Sequence, residues 1–153
     1  MQLGAFSRRR LTVLSSVVIA GCGRSNTIRV GEPNEPVVVQ AIEAVNRFHS
    51  GVKQERYQDT CQAADSSAFL GTTSLPCAEY LVYLHQKLDG PVNARRSQLP
   101  TIGDHQSNGT IRVGLDYETY YEHGPADEHF EWRIEGKGVI LTSYRVKADA
   151  LSH

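Results

Sequence analysis

Near residue 110 the hydrophobic pattern of this 153-residue chain changes from a helical repeat to strict alternation. A single domain therefore has to combine helices with a sheet. In residues 37–49, Val38, Ala41, Ile42, Val45 and Phe48 recur at three- and four-residue intervals and share one helix face. Ser50-Gly51 is expected to end that helix. A second helix is expected over 53–64, with Tyr57, Cys61 and Ala64 on one face, before a turn at Asp65-Ser66-Ser67. A third begins near Ser74 or Pro76, since proline is tolerated in a first helical turn. It stacks Cys77, Tyr80, Leu81, Leu84 and Leu88, and Asp89-Gly90-Pro91 stops it.

From Thr110 the chain alternates, with Ile111, Val113, Leu115, Tyr117, Thr119 and Tyr121 on one side and Arg112, Asp116, Glu118, Tyr120 and Glu122 on the other. This is the pattern of a long half-buried strand. His123-Gly124-Pro125 breaks it. Alternation resumes through Phe130, Trp132 and Ile134, and Gly136-Lys137-Gly138 reads as the turn of a hairpin spanning 130–146. A shorter strand is expected over 92–99 and a surface loop over 103–109. The expected fold class is α+β, with three N-terminal helices packed on a curled antiparallel sheet of about four strands.

The first 36 residues have another purpose. Arg8, Arg9 and Arg10 precede a largely apolar run over 11–20, then Gly21 and Cys22, which is the layout of a signal peptide. Ten residues make about 15 Å of helix, roughly half the hydrocarbon thickness of a bilayer, too short for a lasting span. Ile19-Ala20-Gly21-Cys22 resembles the lipobox of bacterial lipoproteins. The resemblance implies cleavage after Gly21 and acylation of Cys22, so that the membrane is a partner through an N-terminal lipid. Ser7-Arg8-Arg9-Arg10-Leu11 also partly resembles a twin-arginine signal, which leaves the export route open. Gly23 stands where an aspartate marks inner-membrane retention in enterobacterial lipoproteins, and so points to the outer membrane. Residues 22–36, rich in Gly, Asn, Ser and Pro, read as the lipidated cysteine and a short tether, and 37–153 as one domain.

Loss of residues 1–21 takes the formal charge from −1 to −4, which argues against a general nucleic-acid binder. The length left suffices for one modest core. With Cys22 assigned to lipid, Cys61 and Cys77 remain. An oxidising compartment permits them to pair, against the alternative of two free buried cysteines, and their spacing matches neither a CxxC redox pair nor a structural zinc set.

Three segments carry a family resemblance: KLDGPVNARR at 87–96, GTIRVGLDYETYYEHG at 109–124, and HFEWRIEGKGVILTSYRV at 129–146. The Gly-Pro after the third helix, the tyrosine-rich strand and the final strand containing Tyr144 are similar to those of an uncharacterised bacterial lipoprotein family with a cone-shaped domain like nuclear transport factor two. The resemblance spans about residues 41–151 and departs from the simplest pattern at Asp89 and at the Cys61 and Cys77 pair. It implies a cone-like fold and little about chemistry, because such scaffolds host many functions.

Candidate sites are sparse. His123, Glu128 and His129 are the nearest approach to an acid-base cluster, but adjacent strand residues diverge, so solvated histidines around a hairpin loop are the expectation. Asp116, Glu118 and Glu122 are expected on a salt-bridged outer face with Arg133 or Arg145, and Arg95, Arg96 and Arg112 as solubilising charges. Tyr117, Tyr121, Phe130 and Trp132 are the candidates for lining a ligand pocket, or alternatively for filling the core. No nucleophile elbow, phosphate loop or dinucleotide fingerprint is present, so no cofactor, metal or catalytic residue is assigned. The expectation is a noncatalytic envelope protein that binds another protein, an envelope component or a small ligand. A small enzyme using the cone cavity and a homo-oligomerising module are the alternatives.

Overall fold

The computed structural model describes residues 27–105 and 109–152. The signal segment 1–21, Cys22 and the first tether residues lie outside them. Helix α1 (Pro36–Lys53) opens with proline and buries Val38, Ala41, Ala44, Val45, Phe48 and Val52. It does not stop at Ser50-Gly51 but runs through to Lys53. Gly51 is buried because α2 (Tyr57–Cys61) crosses there: a Cβ on Gly51 would stand 2.0 Å from Thr60 Oγ1. The glycine thus marks a close approach, and the reversal comes at Glu55, with φ of 57°. The helix expected over 53–64 is accordingly cut to five residues.

Helix α3 (Cys77–Leu88) buries Tyr80, Leu81, Leu84 and Leu88 as its spacing requires. Cys61, ending α2, is disulfide-bonded to Cys77, opening α3, with Cα atoms 6.0 Å apart. Asp89 takes φ of 65° and accepts a hydrogen bond from the Gly90 N–H at 2.7 Å, so the chain turns out of the helix at that residue.

The sheet is antiparallel and has six strands, not about four: β1 (Thr27–Val30), β2 (Pro91–Arg96), β3 (Thr101–His105), β4 (Thr110–Tyr121), β5 (Gly124–Glu135) and β6 (Gly138–Lys147). Their order is β1-β3-β4-β5-β6, with β2 also paired to β4. The long strand β4 explains this arrangement. Its first half pairs with β3 and its second half with β2, so two short strands follow one another along one edge. Two sequence expectations are corrected. Residues 103–105, expected as loop, lie in β3, and residues 27–30, expected within the tether, form β1 against β3. A strand thus precedes the helices. Arg29 of β1 donates to both carboxylate oxygens of Glu35 just before α1, at 2.8 and 2.6 Å. That guanidinium, with the Glu32 N–H, holds the Glu35 carboxyl at about 2.

The inner sheet face packs on α1 and α3. Strand β5 contributes Ala126, Glu128, Phe130, Trp132 and Ile134, alternating as a half-buried strand must. Strand β6 contains a bulge opposite Glu131 and Trp132, which pair with Ser143 and Leu141. The extra residue, Thr142, bonds to the Glu131 carbonyl at 3.1 Å. The bulge lets Leu141 and Tyr144, three positions apart, both point inward, each 1 % exposed.

Candidate functional site

Glu128 is a carboxylate inside this core. Its side chain has no exposed surface, and four side chains from three elements converge on it. His49 of α1 donates from Nε2 to Oε2 at 2.7 Å, joined there by the Thr119 hydroxyl of β4. Tyr121 at the end of β4 donates to Oε1 at 2.8 Å, and Tyr144 of β6 donates to the same oxygen. Each carboxylate oxygen therefore accepts two hydrogen bonds, which uses the acceptor capacity of the group.

Burial alone pushes the Glu128 carboxyl up, but the electrostatic attraction of His49 and the hydrogen bonds from His49, Thr119 and Tyr144 outweigh it and bring the group below its ordinary value. The same burial, with the Glu128 charge beside them, drives the Tyr121 and Tyr144 phenols well above their ordinary value. Both stay protonated donors. Tyr80 is pushed the same way, chiefly by burial and then by the neighbouring Tyr83 phenol.

His123, Glu128 and His129 do not form a cluster, as the divergence of adjacent strand residues led one to expect, but only the histidines are near solvent. Glu128 points inward and is not part of a solvated loop. His129 points to the outer face, where its Nδ1 stands 2.7 Å from Asp116 Oδ1 and its Nε2 3.4 Å from Glu131 Oε1. These carboxylates, Glu131 foremost, raise the His129 pKa against its partial burial. His123 is exposed and bonds to the Lys87 carbonyl.

The outer face is laced with ion pairs, but the partners differ from those expected. Glu118 takes Arg95, at 2.6 Å from its Nε, and Arg133 takes Asp65 and Glu135. Arg112 lies at the β3 end of β4, away from Arg95 and Arg96 at the β2 end.

The four aromatic pocket candidates are all buried. Tyr121 belongs to the Glu128 network. Phe130 stacks on Trp132 with ring planes 9° apart and meets Tyr117 edge-on. Of the four, Trp132 lines a cavity of about 270 Å³ between α1, α2 and the β5–β6 face. Tyr117 contributes to the wall of a hollow on the outer face beside Asp116, His129 and Arg145.

Sequence reasoning missed His49 and mistook Glu128. One signal was present: Glu128 is in phase with Phe130, Trp132 and Ile134, so the alternation run backward places it inside. Nothing local pointed to His49, which lies 79 residues away in the chain. Among the described residues, no group of His, Cys, Asp and Glu has the arrangement to hold a metal ion, and no helix is long and apolar enough to cross a membrane.

No family model matches the chain, and no curated protein matches it. Among solved structures, Aln2 from a Streptomyces species is similar, with a TM-score of 0.52 over 80 % of this chain and 96 % of Aln2, at 12 % identity. What this chain shares with Aln2 at that identity is an α+β fold.

Proposed function

We propose that this chain is a noncatalytic, lipid-anchored protein of the bacterial cell envelope whose single cone-like domain binds a protein, an envelope component or a small ligand. In this reading residues 1–21 are the signal peptide, Cys22 carries the lipid, and the domain faces the periplasm from the outer membrane. The charge and apolar pattern before Cys22 supports the anchor. A single diacylated cysteine gives two chains, enough for stable attachment where one chain is marginal.

The observation that carries the noncatalytic half is the closure of the Glu128 network. A general acid or base has to reach a proton on a substrate. Glu128 has no exposed side-chain surface, and both of its oxygens are engaged by the protein's own donors. Such a group ties α1 to the sheet and has no free lone pair to offer.

Strand β1 adds a geometric consequence. Four residues separate Cys22 from Thr27, a path of about 18 Å at full extension. A lipid on Cys22 therefore keeps the β1–β3 edge near the bilayer surface, where Ile28 and Val30 are 76 % and 62 % exposed.

The test is Cys22→Ser in cells labelled with a radioactive fatty acid. Loss of labelling, and of processing that globomycin blocks, is the expected result. Labelling and membrane retention that persist in the variant would overturn the reading.

A further inference from the structure

The cavity between α1, α2 and the β5–β6 face has three features that belong together. Its floor is apolar, made by Phe48, Leu141 and Trp132. Trp132 is 2 % exposed, and its indole N–H is buried without a hydrogen-bond partner. Buried indole N–H groups ordinarily find an acceptor, because leaving one unpaired forfeits its hydration. Stacking on Phe130 fixes the ring plane, so the indole does not simply rotate away to find a carbonyl.

The rim supplies the third feature. Arg47, on the exposed side of α1, and Arg56, just before α2, border the cavity, and neither guanidinium is engaged in an ion pair among the described residues. Asp59 is the carboxylate on the same rim, which leaves one net positive charge there. Two arginines of the outer sheet face, Arg95 and Arg133, are by contrast each spent on a carboxylate.

We infer that this cavity is a binding site for a small amphipathic carboxylate. The ligand's apolar body covers Phe48 and Leu141, and its carboxylate accepts the Trp132 N–H while the Arg47 and Arg56 guanidinium groups balance its charge. One carboxylate suffices for both tasks, because its two oxygens offer about four lone-pair sites. A planar guanidinium suits that group better than an ammonium would. The cavity volume of about 270 Å³ falls just under the usual range for small-molecule sites, about 300–1,000 Å³, so the ligand is small. This inference deepens the binding half of the proposed function and rests on it, and is independent of the lipid.

Trp132 is the sole tryptophan of the chain, so tryptophan emission has one source, a ring that lines this cavity. The experiment titrates the full-length chain carrying Cys22→Ser, which has no attached lipid to compete, with octanoate and in parallel with octanol. Octanoate is expected to give a saturable change in Trp132 emission, with octanol at least tenfold weaker. Joint Arg47→Gln and Arg56→Gln replacement is expected to bring octanoate down to the octanol level while the far-ultraviolet circular dichroism stays unchanged. Calorimetry on Trp132→Phe is expected to show weakened binding as well. No saturable change with octanoate, or octanoate affinity unmoved by the two arginine replacements, overturns the site. A flat titration leaves the lipid labelling untouched, and lost labelling leaves this titration untouched, so the two readings fail separately.

Discussion

His49 Nε2 on α1 stands 2.7 Å from Glu128 Oε2 on β5, with the histidine side chain 12 % exposed and the carboxylate fully covered. This contact joins helix to sheet across the centre of the domain, and its loss strands a charge. Leaving a buried polar group without its hydrogen-bond partner costs about 1–3 kcal/mol, and more where the group is charged, an appreciable share of the roughly 5–15 kcal/mol that holds a domain folded. His49→Ala and Glu128→Ala are therefore each expected to lower stability by about 1–3 kcal/mol or more in urea unfolding. A cost under about 1 kcal/mol, as for an exposed pair, would show that the contact is not formed as described.

The same carboxylate makes stability depend on acid. Its folded pKa lies below the ordinary value of 4.5, so the unfolded chain binds its proton first as pH falls. The stabilisation from Glu128 is then complete above about 4.5 and is lost as pH drops through the folded value. Glu128→Gln is expected to be less stable than the natural chain at neutral pH, with the gap narrowing below about pH 4.5. Other carboxylates with lowered pKa, such as Glu35 and Asp65, titrate in both proteins and cancel. A gap that stays constant on acidification would mean that Glu128 is not the ionised group.

Cys61 and Cys77 close a loop of 16 residues in sequence separation, and a loop of about 15 residues contributes about 3 kcal/mol on the chain-entropy account. Joint replacement by serine is expected to lower the melting temperature of the oxidised protein by something on the order of 10 °C. Reductant is expected to have the same effect on the natural chain and none on the variant, as differential scanning calorimetry would show.

Gly51 offers a test of sign. In an open helix Gly→Ala stabilises by up to about 1 kcal/mol. Here the new Cβ would stand 2.0 Å from Thr60 Oγ1, so Gly51→Ala is expected to destabilise by about 1–3 kcal/mol. Thr60→Ala removes that oxygen, and in its background the alanine is expected to be tolerated. Additive effects in the double-mutant cycle would place α2 further from α1 than described.

Much of the architecture was legible in the chain because periodicity is a local property. The spacing of Val38, Ala41, Val45 and Phe48 gave α1 its buried face, and the alternation from Val113 to Tyr121 gave β4 its two sides. The pairing of the two domain cysteines was open to a count. Short elements with weak local signals were not readable. Strand β1 carries only four residues and β3 only five, and both exist because the first half of β4 offers an edge to β3, which in turn offers one to β1.

The residue pattern along the chain is enough to combine helices with an antiparallel sheet and to put Glu128 in phase with a buried stripe. What that phase means depends on the packing of the elements. An inward carboxylate is costly until donors surround it, and the donors come from α1, β4 and β6, which alternation alone does not align. Tyr144 reaches Oε1 because the bulge at Thr142 shifts β6 by one residue, and His49 reaches Oε2 because α1 crosses the sheet at that point. Local pattern fixes which way a side chain points along its own element; which partner it meets depends on how the elements are stacked.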